Sequence, residues 1–187
     1  MSAMLVNDGD DILLVSRGGM SLRFTASDQT LRPMGRSTGG VIGMHFRGED
    51  QLLSASVVSD EGFVFVVTEG GYAKRTAVDQ YRSQQRGGLG IKVAKLSETR
   101  GALAGAMIVD EDDEVLVVLN SGKVVRSGVD EVPAKGRDTM GVVFARMDEE
   151  DRVLGIARNQ DRDLPDPVDS SSVEDTTAES PEKEVAE

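Results

Sequence analysis

The feature that most limits what this chain can fold into is that it repeats itself about every 50 residues. Ile12–Gly19 reads ILLVSRGG, Val64–Gly71 reads VFVVTEGG and Leu116–Gly122 reads LVVLNSG. Each is an apolar run ending in a glycine turn, and a segment with a basic residue follows each turn: Arg23, then Lys74 and Arg75, then Arg126. Gly19 and Gly71 are 52 residues apart, and Gly71 and Gly122 are 51 apart. The second half of the unit recurs as well. Arg36-Ser-Thr-Gly-Gly40-Val41, Arg86-Gly-Gly-Leu-Gly90-Ile91 and Arg137-Asp-Thr-Met-Gly141-Val142 align without a gap. Leu53, Leu103 and Val153, spaced by 50, open a last apolar segment, with Ala55, Gly105 and Gly155 two positions on. Units of this size bury a continuous core by stacking on their neighbours.

Each unit reads as four strands. The first is continuously apolar, as expected when both faces are buried. The second alternates, with its basic side chain directed outward. The third and fourth are apolar, with Gly and Ala where backbones approach closely. Acidic turns at Asn7–Asp11, Ser59–Gly62 and Asp110–Glu114 separate the units. Helical spacing of apolar residues is absent, and glycine is too frequent for long helices. The expected class is therefore all-β, a propeller-like array of four-stranded blades. The chain has no Trp, which disfavours the WD40 type.

The period divides the chain into the end of a preceding blade with its linker (1–11), three blade repeats (12–62, 63–113 and 114–158) and a tail (159–187). Val6 matches Val58 at 52 residues, so the chain is expected to open in the middle of a blade and to be a fragment of a longer array. The tail is acidic and is expected to be disordered, because it has too little apolar surface to offset the entropy of ordering. It holds 10 Asp+Glu against 2 Lys+Arg, which leaves only −4 of the net −12 on residues 1–158. The global charge therefore describes the tail more than the body and does not argue against a polyanionic partner. A tethered polyanion of this kind is expected to compete for any basic rim.

Other chemistries are weakly represented. With no Cys, disulfides and Cys-ligated metal centres are excluded, and a single His excludes a His-rich metal site. That residue, His45, sits in an apolar stretch and is expected to pack in a strand rather than act as a base. The acidic segments lack EF-hand spacing and read as tight turns. No Walker loop or nucleophile elbow occurs. No apolar run approaches the ~18 residues of a membrane span, and no signal peptide is visible, so a cytoplasmic location is expected and a membrane is not.

The segment Gln85-Arg86-Gly87-Gly88-Leu89-Gly90 carries the strongest functional signal. Glycines around one arginine leave backbone amides uncovered, able to lie flat on phosphates while the guanidinium makes bidentate contacts. Arg36 and Arg137 recur at the matching place, and Arg23, Arg75 and Arg126 at another. Six arginines at equivalent positions of an array are expected to form a basic track along one rim, suited to a duplex on a curved edge. Aromatic platforms for single strands are missing, since most Phe fall in apolar runs, and Tyr81 is expected to prop the box-like loop.

These repeats, the arginine loop before strand three and the hexapeptide resemble the C-terminal domain of the bacterial DNA gyrase A protein, whose box reads Q-R-G-G-(R/K)-G. The resemblance spans residues 3–158 and implies a β-pinwheel whose blades exchange strands. It also implies wrapping of double-stranded DNA in support of ATP-dependent negative supercoiling. The implied partners are the remainder of the gyrase A protein and the gyrase B protein, with ATP and Mg2+ held by other parts of the holoenzyme and no cofactor or catalytic residue in this chain. Leu89 stands where the family has Arg or Lys, and a full repeat precedes this box, which marks it as a second, degenerate one. The implied DNA contacts are Gln85, Arg86, Gly87, Gly88, Leu89, Gly90, Arg36, Arg137, Arg23, Lys74, Arg75 and Arg126. The rival readings are the equivalent domain of topoisomerase IV and a propeller used only as a protein-interaction platform.

Overall fold

The computed structural model describes residues 3–59 and 61–159. The tail expected to be disordered lies outside the described residues, apart from Asn159. The first repeat supplies β1 (Asp11–Ser16), β2 (Met20–Thr25) and β3 (Leu52–Val57). The second supplies β4 (Phe63–Thr68), β5 (Tyr72–Ala77), β6 (Ile91–Lys92) and β7 (Leu103–Val109). The third supplies β8 (Glu114–Leu119), β9 (Val124–Gly128), β10 (Val142–Val143) and β11 (Val153–Arg158). The single helical turn among the described residues is a 3-10 turn at Val78–Gln80. The all-β expectation holds.

Three antiparallel sheets result, ordered β3-β1-β2-β6, β10-β5-β4-β7 and β11-β8-β9. The third strand of each unit does not join its own sheet. β6 of the second repeat pairs with β2 of the first, through Met20↔Lys92 and Ser21↔Ile91. β10 of the third pairs with β5 of the second, through Val142↔Ala73 and Val143↔Tyr72. These exchanged strands are only two residues long, shorter than the mixed apolar runs suggest. The matching Val41–Ile42 of the first repeat belongs to no strand among the described residues.

The continuous apolar character of the first strands has its cause in stacking. Along β4, Val64 and Val66 join Leu13 and Val15 of β1 and Leu103 in one core cluster. Phe65 and Val67, on the opposite face, join Val115, Val117 and Leu119 of β8 in another. Successive strand side chains alternate between faces, so a strand sandwiched by two sheets must be apolar at every position. Burying each such Val or Phe is worth about 1.5–3 kcal/mol relative to exposure. The fourth strands pack face to face, and Gly105 of β7 leaves the space that Ile156 of β11 fills. Gly155 has no neighbour within 4 Å of a would-be Cβ, so close approach does not explain it.

The acidic turns are held by their own carboxylates. Asp10 Oδ2 accepts the Asn7 amide at 2.7 Å, and Asp113 Oδ2 accepts the Asp110 amide at 2.8 Å. His45 departs from expectation: it is exposed and lies outside any strand. Its segment meets the box-like loop instead of joining a sheet.

Candidate nucleic-acid interface

The basic residues that follow each glycine turn do not point outward as a row. Arg23 binds Asp11 through Nε at 2.6 Å and donates Nη1 to the carbonyls of Val78 and Tyr81 at 3.2 and 3.3 Å. Arg75 repeats the arrangement one unit on. Its Nε donates to Val132 O at 2.6 Å, its Nη2 pairs with Glu111 at 2.8 Å, and its guanidinium lies 4.7 Å from the Phe63 ring centre. Arg126 pairs with Glu114 at 3.0 Å. Arg75 is 7% exposed and Lys74 2% exposed. The expected six-arginine track therefore needs correction. Arg23 and Arg75 clamp the second strand of one repeat to the loop of the next, and all three arginines are matched by a carboxylate. The physical reason is strand exchange, which lays the next repeat's loop over this strand and covers a face the sequence presents as open.

Lys74, the neighbour of Arg75 in β5 and so on the opposite face of the strand, is covered as well. Its ammonium donates to Gly136 O at 2.8 Å and Arg137 O at 2.5 Å. Burial, reinforced by the Arg137 guanidinium, lowers its pKa from 10.5 to about 8, with Asp138 acting in the opposite direction. Between about pH 8 and 10.5 the unfolded chain then binds more protons than the folded one, so stability rises with pH across that window. Thermal unfolding of wild type and Lys74→Met at pH 8 and 10.5 checks this: the wild type is expected to gain stability relative to the variant. Parallel responses of the two chains would show an unperturbed ammonium.

The loops joining second to third strands are a different matter. Arg86 donates Nη1 to Ile42 O at 2.6 Å, and Arg137 donates Nη1 to Lys92 O at 3.2 Å. Residues 42 and 92 occupy the same place in successive repeats, so the two arginines make one repeat-equivalent contact across two junctions. Arg36, the third member, is exposed.

The glycines of the box-like loop are packed against the neighbouring repeat. The Gly87 amide is taken by Gly43 O at 2.7 Å, and the Gly88 carbonyl by the His45 amide at 2.9 Å. Gly88 seats Leu22, 3.3 Å from its would-be Cβ. Gly90, at φ +74°, would place a Cβ on the Ser21 carbonyl oxygen, and Gly141, at φ +76°, would place one on the Ala73 carbonyl oxygen. Only glycine permits β6 and β10 to begin that close to the neighbouring repeat. Tyr81 is buried in the core cluster beneath this region, and burial raises its phenol pKa to about 12. Gln85 and Leu89 are exposed, Leu89 by 40%.

Three cations of these loops carry no family motif: Arg32, Arg82 and Lys135. All are exposed, and none has an ion pair among the described residues. Sequence reasoning missed them. Arg32 and Arg82 lie 50 residues apart, the same period that marked the box arginines, and this was the signal that could have found them.

Stacked antiparallel sheets in which the third strand of one repeat completes the sheet of the preceding one, with an arginine-bearing loop at each junction, define a propeller-type repeat domain with a cationic loop edge. A family model described as DNA gyrase C-terminal domain, beta-propeller, matches residues 10–59, 62–110 and 113–160. The chain belongs to that family. It is 54% identical over 180 residues to the DNA gyrase A protein of Streptomyces coelicolor, covering 96% of this chain and 21% of the relative. It is 46% identical over 183 residues to its Mycolicibacterium smegmatis counterpart, covering 97% and 22%. The chain thus spans about a fifth of the length of the curated relatives it matches. Among solved structures, a DNA gyrase A C-terminal domain superposes with a TM-score of 0.75 at 27% identity, covering 82% of this chain and 52% of that one. The C-terminal domain of a DNA topoisomerase IV superposes at 0.76 with 20% identity, covering 83% and 48%, which establishes the shared fold alone.

Proposed function

We propose that this chain binds and wraps double-stranded DNA along the loops joining its second and third strands. In this reading it works on the nucleoid in the cytoplasm and supports ATP-dependent negative supercoiling by a gyrase. The rest of the gyrase A protein and the gyrase B protein are its partners, ATP and Mg2+ act in other parts of the holoenzyme, and this chain positions the duplex. One observation carries the reading: Arg86 and Arg137 sit identically at successive junctions, so equivalent cationic loops recur at regular steps, with Arg36 at the same place in the first repeat. Regular spacing of backbone-directed cations suits a bent duplex and carries no base specificity. No helix among the described residues is long and apolar enough to cross a membrane. The relatives are gyrase A proteins, which favours this reading over the topoisomerase IV one.

The test is a duplex titration across a salt series with Leu89→Arg and Arg86→Gln. Leu89 is exposed, so an arginine there is expected to leave folding intact. It should steepen the dependence of log K on log salt by about 0.9, the value of one added phosphate contact. Arg86→Gln should make the dependence shallower. Unchanged slopes in both variants would remove DNA from these loops, and absence of salt-dependent binding in the wild type would favour a protein-interaction platform.

A further inference from the structure

A second repeat-equivalent position, basic in the second and third repeats, accompanies the loops. His45, Lys95 and Arg146 fall 50 and 51 residues apart, at one place in the three repeats. The His45 amide donates to Gly88 O at 2.9 Å, and the Lys95 amide donates to Thr139 O at 3.0 Å. Gly88 and Thr139 are 51 residues apart and hold the same position in their loops. This backbone bond therefore fixes residue 45 or 95 directly beside the arginine loop of the next repeat. All three side chains are exposed, and Lys95 has no ion pair among the described residues.

The two junctions differ in charge. At the first, Arg82 and Arg86 are the fixed cations of the loop, with His45 beside Arg86. The Arg86 guanidinium is turned partly inward: Nη1 is held by Ile42 O, and Nε is buried with no partner among the described residues. At the second junction Lys92, Lys95, Lys135 and Arg137 line the loop edge, with Asp138 next to Arg137. Lys92 pairs with Asp138 at 3.3 Å, both side chains being 57% exposed. An exposed pair of this kind is worth little. It leaves Lys95 as an unmatched ammonium within a Debye length of the loop.

We infer that Lys95 is a primary contact for DNA phosphates, and that the junction of the second and third repeats grips the duplex more strongly than the box-like loop does. The inference rests on the DNA-wrapping reading and names which residues carry it. A compact ammonium acts on a phosphate as a point charge and needs no bidentate geometry, so an exposed lysine at the rim suffices. Asp138 opposes the same phosphates, and the histidine at the matching place makes the first junction the weaker one.

The experiment measures binding of the 187-residue chain to a labelled random-sequence duplex across a salt series, with circular dichroism confirming that each variant is folded. One lost phosphate contact makes the log–log slope shallower by about 0.9, which corresponds to roughly eightfold weaker binding at about 0.1 M salt. Lys95→Gln is expected to show that loss, and a larger one than Arg86→Gln. Lys95→Arg should retain wild-type binding. Asp138→Asn should tighten binding by freeing Lys92, and His45→Lys, which installs the missing cation beside the box-like loop, should tighten it toward the same eightfold factor. Wild-type affinity in Lys95→Gln, or a greater loss in Arg86→Gln, overturns the inference while leaving DNA binding in place. A wild type without salt-dependent binding overturns the wrapping reading itself. Should Lys95→Gln fail to fold, the His45→Lys and Asp138→Asn gains decide the matter, and their absence counts against it.

Discussion

Affinity of this chain for duplex DNA is expected to fall roughly a thousandfold between about 50 and about 200 mM salt, a log–log slope near −5. The number follows from the six cations on the loops between second and third strands: Arg32, Arg36, Arg82, Arg86, Lys135 and Arg137. Each is taken to contribute up to about 0.9 of a logarithmic unit, Arg86 less than that because its guanidinium is turned partly inward, and Lys95 adds about 0.9 of its own. Arg23, Arg75 and Arg126 are left out because each is already matched by a carboxylate. The two sets are separable by mutation. Arg36→Gln should make the slope shallower by about 0.9 without loss of stability. Arg75→Gln should leave the slope alone and lower stability, because it strips Val132 O of its donor and breaks the Glu111 pair. A slope change in Arg75→Gln, or none in Arg36→Gln, would return the turn-proximal arginines to the DNA surface. Binding should be nearly indifferent to sequence, since backbone contacts position without specifying.

Gly90→Ala is expected to destabilise the fold by about 3 kcal/mol or more, whereas Gly40→Ala should cost only about 1–2 kcal/mol. The two glycines share a left-handed backbone, φ +74° and +76°, so the conformational penalty for a Cβ is common to both. They differ in surroundings. A Cβ at Gly40 meets nothing within 4 Å, but at Gly90 it lands on the Ser21 carbonyl of β2. That oxygen is backbone inside a paired strand and cannot swing aside. The loop must lift, breaking the Ser21↔Ile91 pairing and the Ser21 Oγ bond to Ile91 O at 3.1 Å. Gly141→Ala, set against Ala73 O in the same way, should match Gly90→Ala. Denaturant unfolding of the three variants gives the comparison. Equal costs at positions 40 and 90 would show that close approach of the exchanged strand does not hold the junction.

The sequence by itself determined the repeat, the first, second and last strands of each unit, and the glycine positions. These are local constraints: alternation of faces, an apolar run for a strand covered on both sides, and backbone conformations that only glycine adopts cheaply. The Arg36, Arg86 and Arg137 loops were legible for the same reason, since a residue type that returns at each period marks one place on the array. The direction of Lys74 and Arg75 was not legible. They are neighbours in one strand, one on each face, and both are covered because the loop and third strand of the next repeat, some 60 residues on, supply the carbonyls that hold them. The partner of β6 was hidden as well, because a two-residue strand carries too little pattern to say which repeat it joins. The neighbourhood of Lys95 likewise exists only once residue 139 of the third repeat lies beside it. Pairing between repeats is non-local, and it decided which of the many arginines and lysines became clamps inside the protein and which remained on its edge to meet a polyanion.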